Sequence, residues 1–195
     1  MDARKSRLWC MSGTVLLAAV LLGGCARTVG MRVGFDLQRP QAVMQYANLG
    51  FQSGERFRLR MMPDQDCYVY VLHEGTDGSY VMLFPMTEIE SGKNFCRART
   101  WVEIPSTGWY RLDEKAGIER LIVLACSKHI GEIEALRNRP LAPNEVKAVL
   151  KTVEDTHNTR VSQRLEEKRL DCLYYLVASR DEFPVLHFKV DLVHQ

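Results

Sequence analysis

Residues 55–84 read ERFRLRMMPDQDCYVYVLHEGTDGSYVMLF, and their pattern decides the fold. From 55 to 62 the side chains alternate strictly, with Phe57, Leu59 and Met61 on one face and Arg56, Arg58 and Arg60 on the other. That period of two predicts a half-buried strand. PDQD follows as a turn, and CYVYVLH, Cys67 to His73, carries β-forming residues on both faces, so a central strand is expected. EGTDGS interrupts it, with Asp77-Gly78 supplying the residue types of a tight hairpin turn. YVMLF returns as the partner strand and stops at Pro85.

Outward from this hairpin, NFCRA, TWVEI and WYRL are short extended segments separated by glycine and proline. ERLIVLACS, 119–127, and CLYYLVAS, 172–179, are continuous apolar runs of strand length. VLHFKVDLV, 185–193, alternates again with Leu186, Phe188, Val190 and Leu192 inward. About eight short strands predict a mainly β fold, a β-sandwich or a partly closed β-sheet. One region differs: Val146, Val149, Leu150 and Val153 fall at helical spacing behind Pro143, and the stripe resumes at Val161 and Leu165 after polar EDTHNTR. A helical insertion is therefore expected within 132–170, its helix near 143–169, either as two helices or as one with a loose middle.

The chain has 195 residues and is 46% hydrophobic, enough for one core-forming domain, placed at 42–195. Its formal charge of +2 equals the contribution of Asp2, Arg4, Lys5 and Arg7, so residues 25–195 are close to neutral. A neutral body gives no global argument for nucleic acid, which normally announces itself as a strongly basic patch or stripe, so no nucleic-acid partner is expected.

Residues 1–24 pair that basic start with an apolar stretch, Leu8 to Leu22, broken at Ser12, Gly13 and Thr14. The run falls short of the ~20 residues that span a bilayer and predicts a cleaved export signal. It ends in LLGGC, 21–25, which resembles the lipobox of bacterial lipoproteins. The resemblance implies that the Cys25 thiol takes diacylglycerol, that cleavage falls between Gly24 and Cys25, and that the new amine is acylated. Glycines suit passage through a narrow protease cleft, and a thiolate is the strong nucleophile the reaction needs. The acyl chains would then make the membrane a partner, since two or more hold a protein stably. Ala26 stands where aspartate favours inner-membrane retention in enterobacterial lipoproteins, which implies the periplasmic face of the outer membrane. Residues 25–41 show no sustained period and are expected to be a lipidated N-terminus and tether.

Cys67, Cys96, Cys126 and Cys172 are possible disulfide partners of unassigned connectivity. Cys126-x-x-His129 has no second pair nearby, so no metal and no cofactor are expected. There is no G-x-S-x-G, H-E-x-x-H or phosphate-cradling loop, and Glu103, Asp113, Glu114 and Glu119 read as solvated charge at strand edges and turns. No catalytic residue is assigned, and the protein is not expected to be an enzyme. Arg56, Arg58 and Arg60, read as a charged edge, and Trp101, Trp109 and Tyr110, around EIPSTGWY, form a candidate interaction surface.

FQSGERFRLRMMPDQDCYVYVLHEGTDGSYVMLFP, then EIP, AGIERLIVLACS and YYLVASRDEF, together resemble the bacterial domain of unknown function 4384. The glycine-glutamate strand entry, the YVYVL strand, the Asp-Gly turn, the LFP exit and the late Gly-x-Glu segment carry that similarity over roughly 50–128. Its members occur alone as lipoproteins or beside caspase-like and kinase domains, which implies a non-catalytic binding or scaffolding module with a protein partner in the envelope. A periplasmic hydrolase acting on envelope polymers and an accessory lipoprotein of a secretion or transport machine are the competing expectations.

Overall fold

The computed structural model describes residues 27–38, 44–45, 51–87, 90–157, 161–165, 173–179 and 184–195. In chain order the strands are β1 (Arg27–Leu37), β2 (Met44–Gln45), β3 (Arg56–Pro63), β4 (Cys67–Glu74), β5 (Tyr80–Phe84), β6 (Phe95–Cys96), β7 (Val102–Ile104), β8 (Tyr110–Arg111) and β9 (Gly117–Cys126). Helices α1 (Gly131–Glu134) and α2 (Pro143–Thr156) follow, then β10 (Val161–Leu165), β11 (Leu173–Ser179) and β12 (Leu186–His194).

Two antiparallel sheets face each other. One runs β10-β11-β1-β3-β7, with β2 beside β1 and β8 beside β3; the other runs β12-β9-β4-β5, with β6 beside β4. Inward rows from both sheets build the core: Val29, Met31, Val33, Phe35 and Leu37 of β1, Phe57, Leu59 and Met61 of β3, Val69 and Val71 of β4, Leu121 and Val123 of β9, and Leu186 to Leu192 of β12 by alternate residues. The expected mainly β class is what the chain adopts, and of the two forms expected the two sheets are consistent with the β-sandwich.

The second sheet is also covered on its outer face. Tyr70, Leu72, Ile122 and Leu124 pack there against Ile133 of α1, Leu136 just after it, and Val146, Leu150 and Val153 of α2. This is why CYVYVLH and ERLIVLAC are apolar on both faces. Pro143 occupies the first turn of α2, where its missing N–H is harmless.

Three expectations are corrected. Residues 27–37 are not tether but β1, an eleven-residue strand between β11 and β3. The glycine in its middle, Gly30, is a close-approach site: an added Cβ would collide with the Tyr174 hydroxyl and the Asp64 carboxylate. β3 is not an edge, because β1 pairs along one side and β7 and β8 along the other. The helical stripe stops at Thr156, and Val161 to Leu165 pair with β11 as a strand. Their spacing of four suits a helical turn and also, as a multiple of two, a strand.

His187 on β12 faces α2, with Nδ1 3.3 Å from Glu154 Oε1. Burial pushes its pKa below the ordinary 6.5, and the nearby Glu154 carboxylate only partly opposes this. The unfolded chain therefore takes up this proton first, and stability falls as pH drops from 6.5 toward the folded value. His187→Gln is expected to flatten the decline between pH 8 and 5.5 measured by urea unfolding. An unchanged slope would refute that role.

Candidate functional site

The outer face of the β1-β3-β7 sheet gathers most of the surface residues singled out in the sequence. Because β3 alternates, Arg56, Arg58 and Arg60 point away from the core, and the register sets Asp36 of β1 opposite Arg58 and Glu103 of β7 opposite Arg60. Arg58 Nη1 lies 3.4 Å from Glu103 Oε2, and Arg60 lies 3.6 Å from Asp36 and 3.7 Å from Glu103. Arg58 Nε also donates to the Gly108 carbonyl at 2.6 Å, and Arg56 donates weakly to Gln38 at 3.4 Å.

Two guanidinium groups stack on indoles: Arg58 over Trp109 at 4.4 Å and Arg60 over Trp101 at 4.9 Å. On the flanking strands Arg32 lies over the Tyr174 ring at 5.3 Å and pairs with Asp64 at 2.7 Å. Such pairs favour planar stacking and bidentate polar contacts over simple attraction of an anion. Burial raises the Asp36 pKa above its usual value despite Arg60, and Glu103 adds to the rise. Beside this face opens a cleft of about 470 Å³ lined in part by Phe84, Cys96, Trp101, Glu103 and Ser106.

Tyr110 does not join the surface. Strand alternation turns it inward against Phe57, with ring centroids 5.8 Å apart, and its hydroxyl donates to the Leu83 carbonyl at 2.8 Å. Cys67 and Cys96 are free buried thiols placed opposite each other by the β4-β6 register. Burial holds the Cys67 thiol far above its ordinary pKa and pushes that of Cys96 up to about 12. Cys126 lies on the other face of the same sheet, under the helices. His129 stacks on Tyr68 at 3.8 Å and sits 2.9 Å from Glu134, which also accepts the Tyr70 hydroxyl at 2.6 Å. Gly24, Cys25 and Cys172 lie outside the described residues.

A second polar group had no place among the sequence expectations. The inward rows of β4, β9 and β12 end in His73, Glu119 and His194, and these ends meet at one end of the sandwich. The segment after Phe51 completes the wall: Phe51 and Ser53 donate backbone hydrogen bonds to Val193 and Gln195, and Gly54 donates to Asp113. His73 Nε2 lies 2.6 Å from Glu119 Oε2, and His194 Nε2 lies 3.3 Å from Glu119 Oε1 and 3.9 Å from Asp113 Oδ1. Ser53 Oγ is 3.0 Å from His194 Nδ1.

Glu119 is therefore not solvated charge: it is 3% exposed, and His194 is 1% exposed. Burial alone would raise the Glu119 pKa, but hydrogen bonds from His73 and from the Asp113 amide hold it below the ordinary value. Extending the alternation of Leu121, Val123 and Ala125 back by one step would have placed Glu119 inward, and extending β12 forward would have done the same for His194.

Residues that carry the resemblance lie in both places: Gly54-Glu55 and Gly117-x-Glu119 border the buried polar group, and Ile104-Pro105 follows Glu103. No curated protein and no solved structure matches the chain. Residues 50–129 match the family described as "Domain of unknown function (DUF4384)", which covers β3 to β9 and so the inner pair β4-β9 of the second sheet and one side of the first.

Proposed function

We propose that this is a lipid-anchored cell-envelope protein whose β-sandwich acts as a non-catalytic binding or scaffolding module. The observation that carries the binding role is the row of Arg58-Trp109 and Arg60-Trp101 stacks beside an open cleft. Arginine and tryptophan dominate the energetics of protein interfaces, because they combine large apolar area with directed polar groups. The acidic partners Asp36 and Glu103 hold the guanidinium planes in place before a partner arrives, which lowers the entropy lost on binding. They also cancel much of the positive charge, which favours a protein partner over a polyanion.

The Cys25 lipid anchor rests on the LLGGC sequence, and it places the partner in the envelope. The test is cross-linking in intact cells followed by detergent extraction and identification of what co-purifies. Wild type is expected to recover a reproducible protein partner, and Arg58→Gln with Trp109→Ala is expected to reduce that recovery at least about tenfold. Retention of the same partner by the double variant, with its unfolding midpoint unchanged, would refute this face as the interface.

A further inference from the structure

We propose that His194, Glu119 and Asp113 form a binding site for one divalent transition-metal ion of zinc-like ligand preference. The inference is independent of the partner-binding role and rests on three geometric facts.

The first is an orphan. His194 has a fully buried side chain, yet its Nε2 makes no hydrogen bond. A buried polar atom without a partner is destabilising, and a lone pair directed at a cation satisfies it. The other ring nitrogen is already engaged by Ser53 Oγ at 3.0 Å. That contact orients the ring and leaves Nε2 facing the carboxylates, the arrangement usual for metal-bound histidine, whose other nitrogen is held by an outer partner.

The second is spacing. Zinc bonds of about 2.0–2.1 Å to nitrogen and oxygen at tetrahedral angles put neighbouring ligand atoms about 3.3–3.4 Å apart. His194 Nε2 and Glu119 Oε1 are 3.3 Å apart without hydrogen bonding to each other. A shared cation explains that: an ion about 2.1 Å from both atoms sits roughly 40° off the line joining them. Asp113 Oδ1 lies 3.9 Å from Nε2, and one ligand atom from each of the three residues falls within 4.8 Å of the others, close enough to share one ion.

The third is the surrounding shell. Glu119 Oε2 is held by His73 Nε2 at 2.6 Å, and Glu119 Oε1 accepts the Asp113 amide at 3.1 Å. Asp113 Oδ1 accepts the Lys115 amide at 2.8 Å, and Asp113 Oδ2 accepts the Thr76 hydroxyl at 3.3 Å. Ligating carboxylates need such outer contacts to fix their orientation. One nitrogen and two carboxylates select zinc-like ions over calcium or magnesium, which prefer all-oxygen sets. Three protein ligands leave the fourth position, on the Asp113 side, open to water or a small anion.

The experiment uses the full chain in detergent, stripped with chelator, and titrates Zn²⁺ by calorimetry with Co²⁺ absorption as the geometric readout. Wild type is expected to bind one ion per chain with a four- or five-coordinate cobalt spectrum. His194→Gln should weaken binding more than about 100-fold, Asp113→Asn at least about tenfold through loss of a charged ligand, and Ser53→Ala about tenfold, within the range set by loss of outer contacts. His129→Ala, at an exposed histidine elsewhere, should leave it unchanged. No binding by wild type, or equal binding by His194→Gln, overturns the site. Should His194→Gln fail to fold, Asp113→Asn decides, and unchanged affinity in that variant overturns the site equally.

Discussion

Phe35→Ala is expected to lower folding stability by about 3–5 kcal/mol, read as a shift in the urea midpoint. Phe35 is fully buried and packs edge-on against Phe51 at 5.8 Å and Phe57 at 5.9 Å. Removing the ring takes away its burial free energy and leaves a cavity that two other rings can fill only in part. The size of the effect discriminates between two accounts of residues 26–41. A tether would lose almost nothing on such a change, whereas a strand at the centre of a sheet loses a core contact shared by three segments. A loss below about 1 kcal/mol would remove β1 from the core.

Cys25→Ala is expected to abolish incorporation of radiolabelled fatty acid and to release the protein from the membrane fraction. The proposed anchor has a sharper geometry than a tethered domain would give it. β1 begins at Arg27, so one residue, Ala26, and at most about 7 Å of chain separate the lipidated position from the first strand. The sandwich would then rest against the bilayer with the Arg27 end of β1 and its register partner Ser179 nearest the lipid. Variant protein that still took up label, or still resisted carbonate extraction of membranes, would sink the anchor. Ten glycine and serine residues inserted after Ala26 should leave both labelling and the urea midpoint unchanged.

Much of the fold is written locally. The alternation of 55–62, the two-faced apolar runs of β4 and β9, and the stripe of α2 each follow from a period of two or of 3.6 in adjacent residues. Where the pattern is ambiguous, local reading fails for a definable reason. Gly30 resembles a loop residue until Tyr174 and Asp64, far away in sequence, are seen to occupy the space beside it. Val161 and Leu165 satisfy both periods, and only pairing with β11 chooses the strand.

The candidate surface was legible in composition and misjudged in position. The arginine row was visible as one face of a strand, and the tryptophans as flanks of a loop, but their stacking requires β3 to be interior with β7 and β8 alongside. Tyr110 went the other way because a strand sends neighbouring residues to opposite faces, so Trp109 and Tyr110 could not both face solvent.

By itself, then, the sequence determined β3 to β9, β11 and β12, the amphipathic stripe of α2, the inward and outward rows of those strands, and the LLGGC motif, because each depends on residues within a few positions of one another. The tertiary structure alone decided which rows lie side by side. His73, Glu119 and His194 each close an inward row that alternation could have traced. Their meeting around Ser53 and Asp113 follows from the order β12-β9-β4 and from the pairing of Phe51 with β12. Those pairings join segments up to the full length of the domain apart, and no local period carries that information.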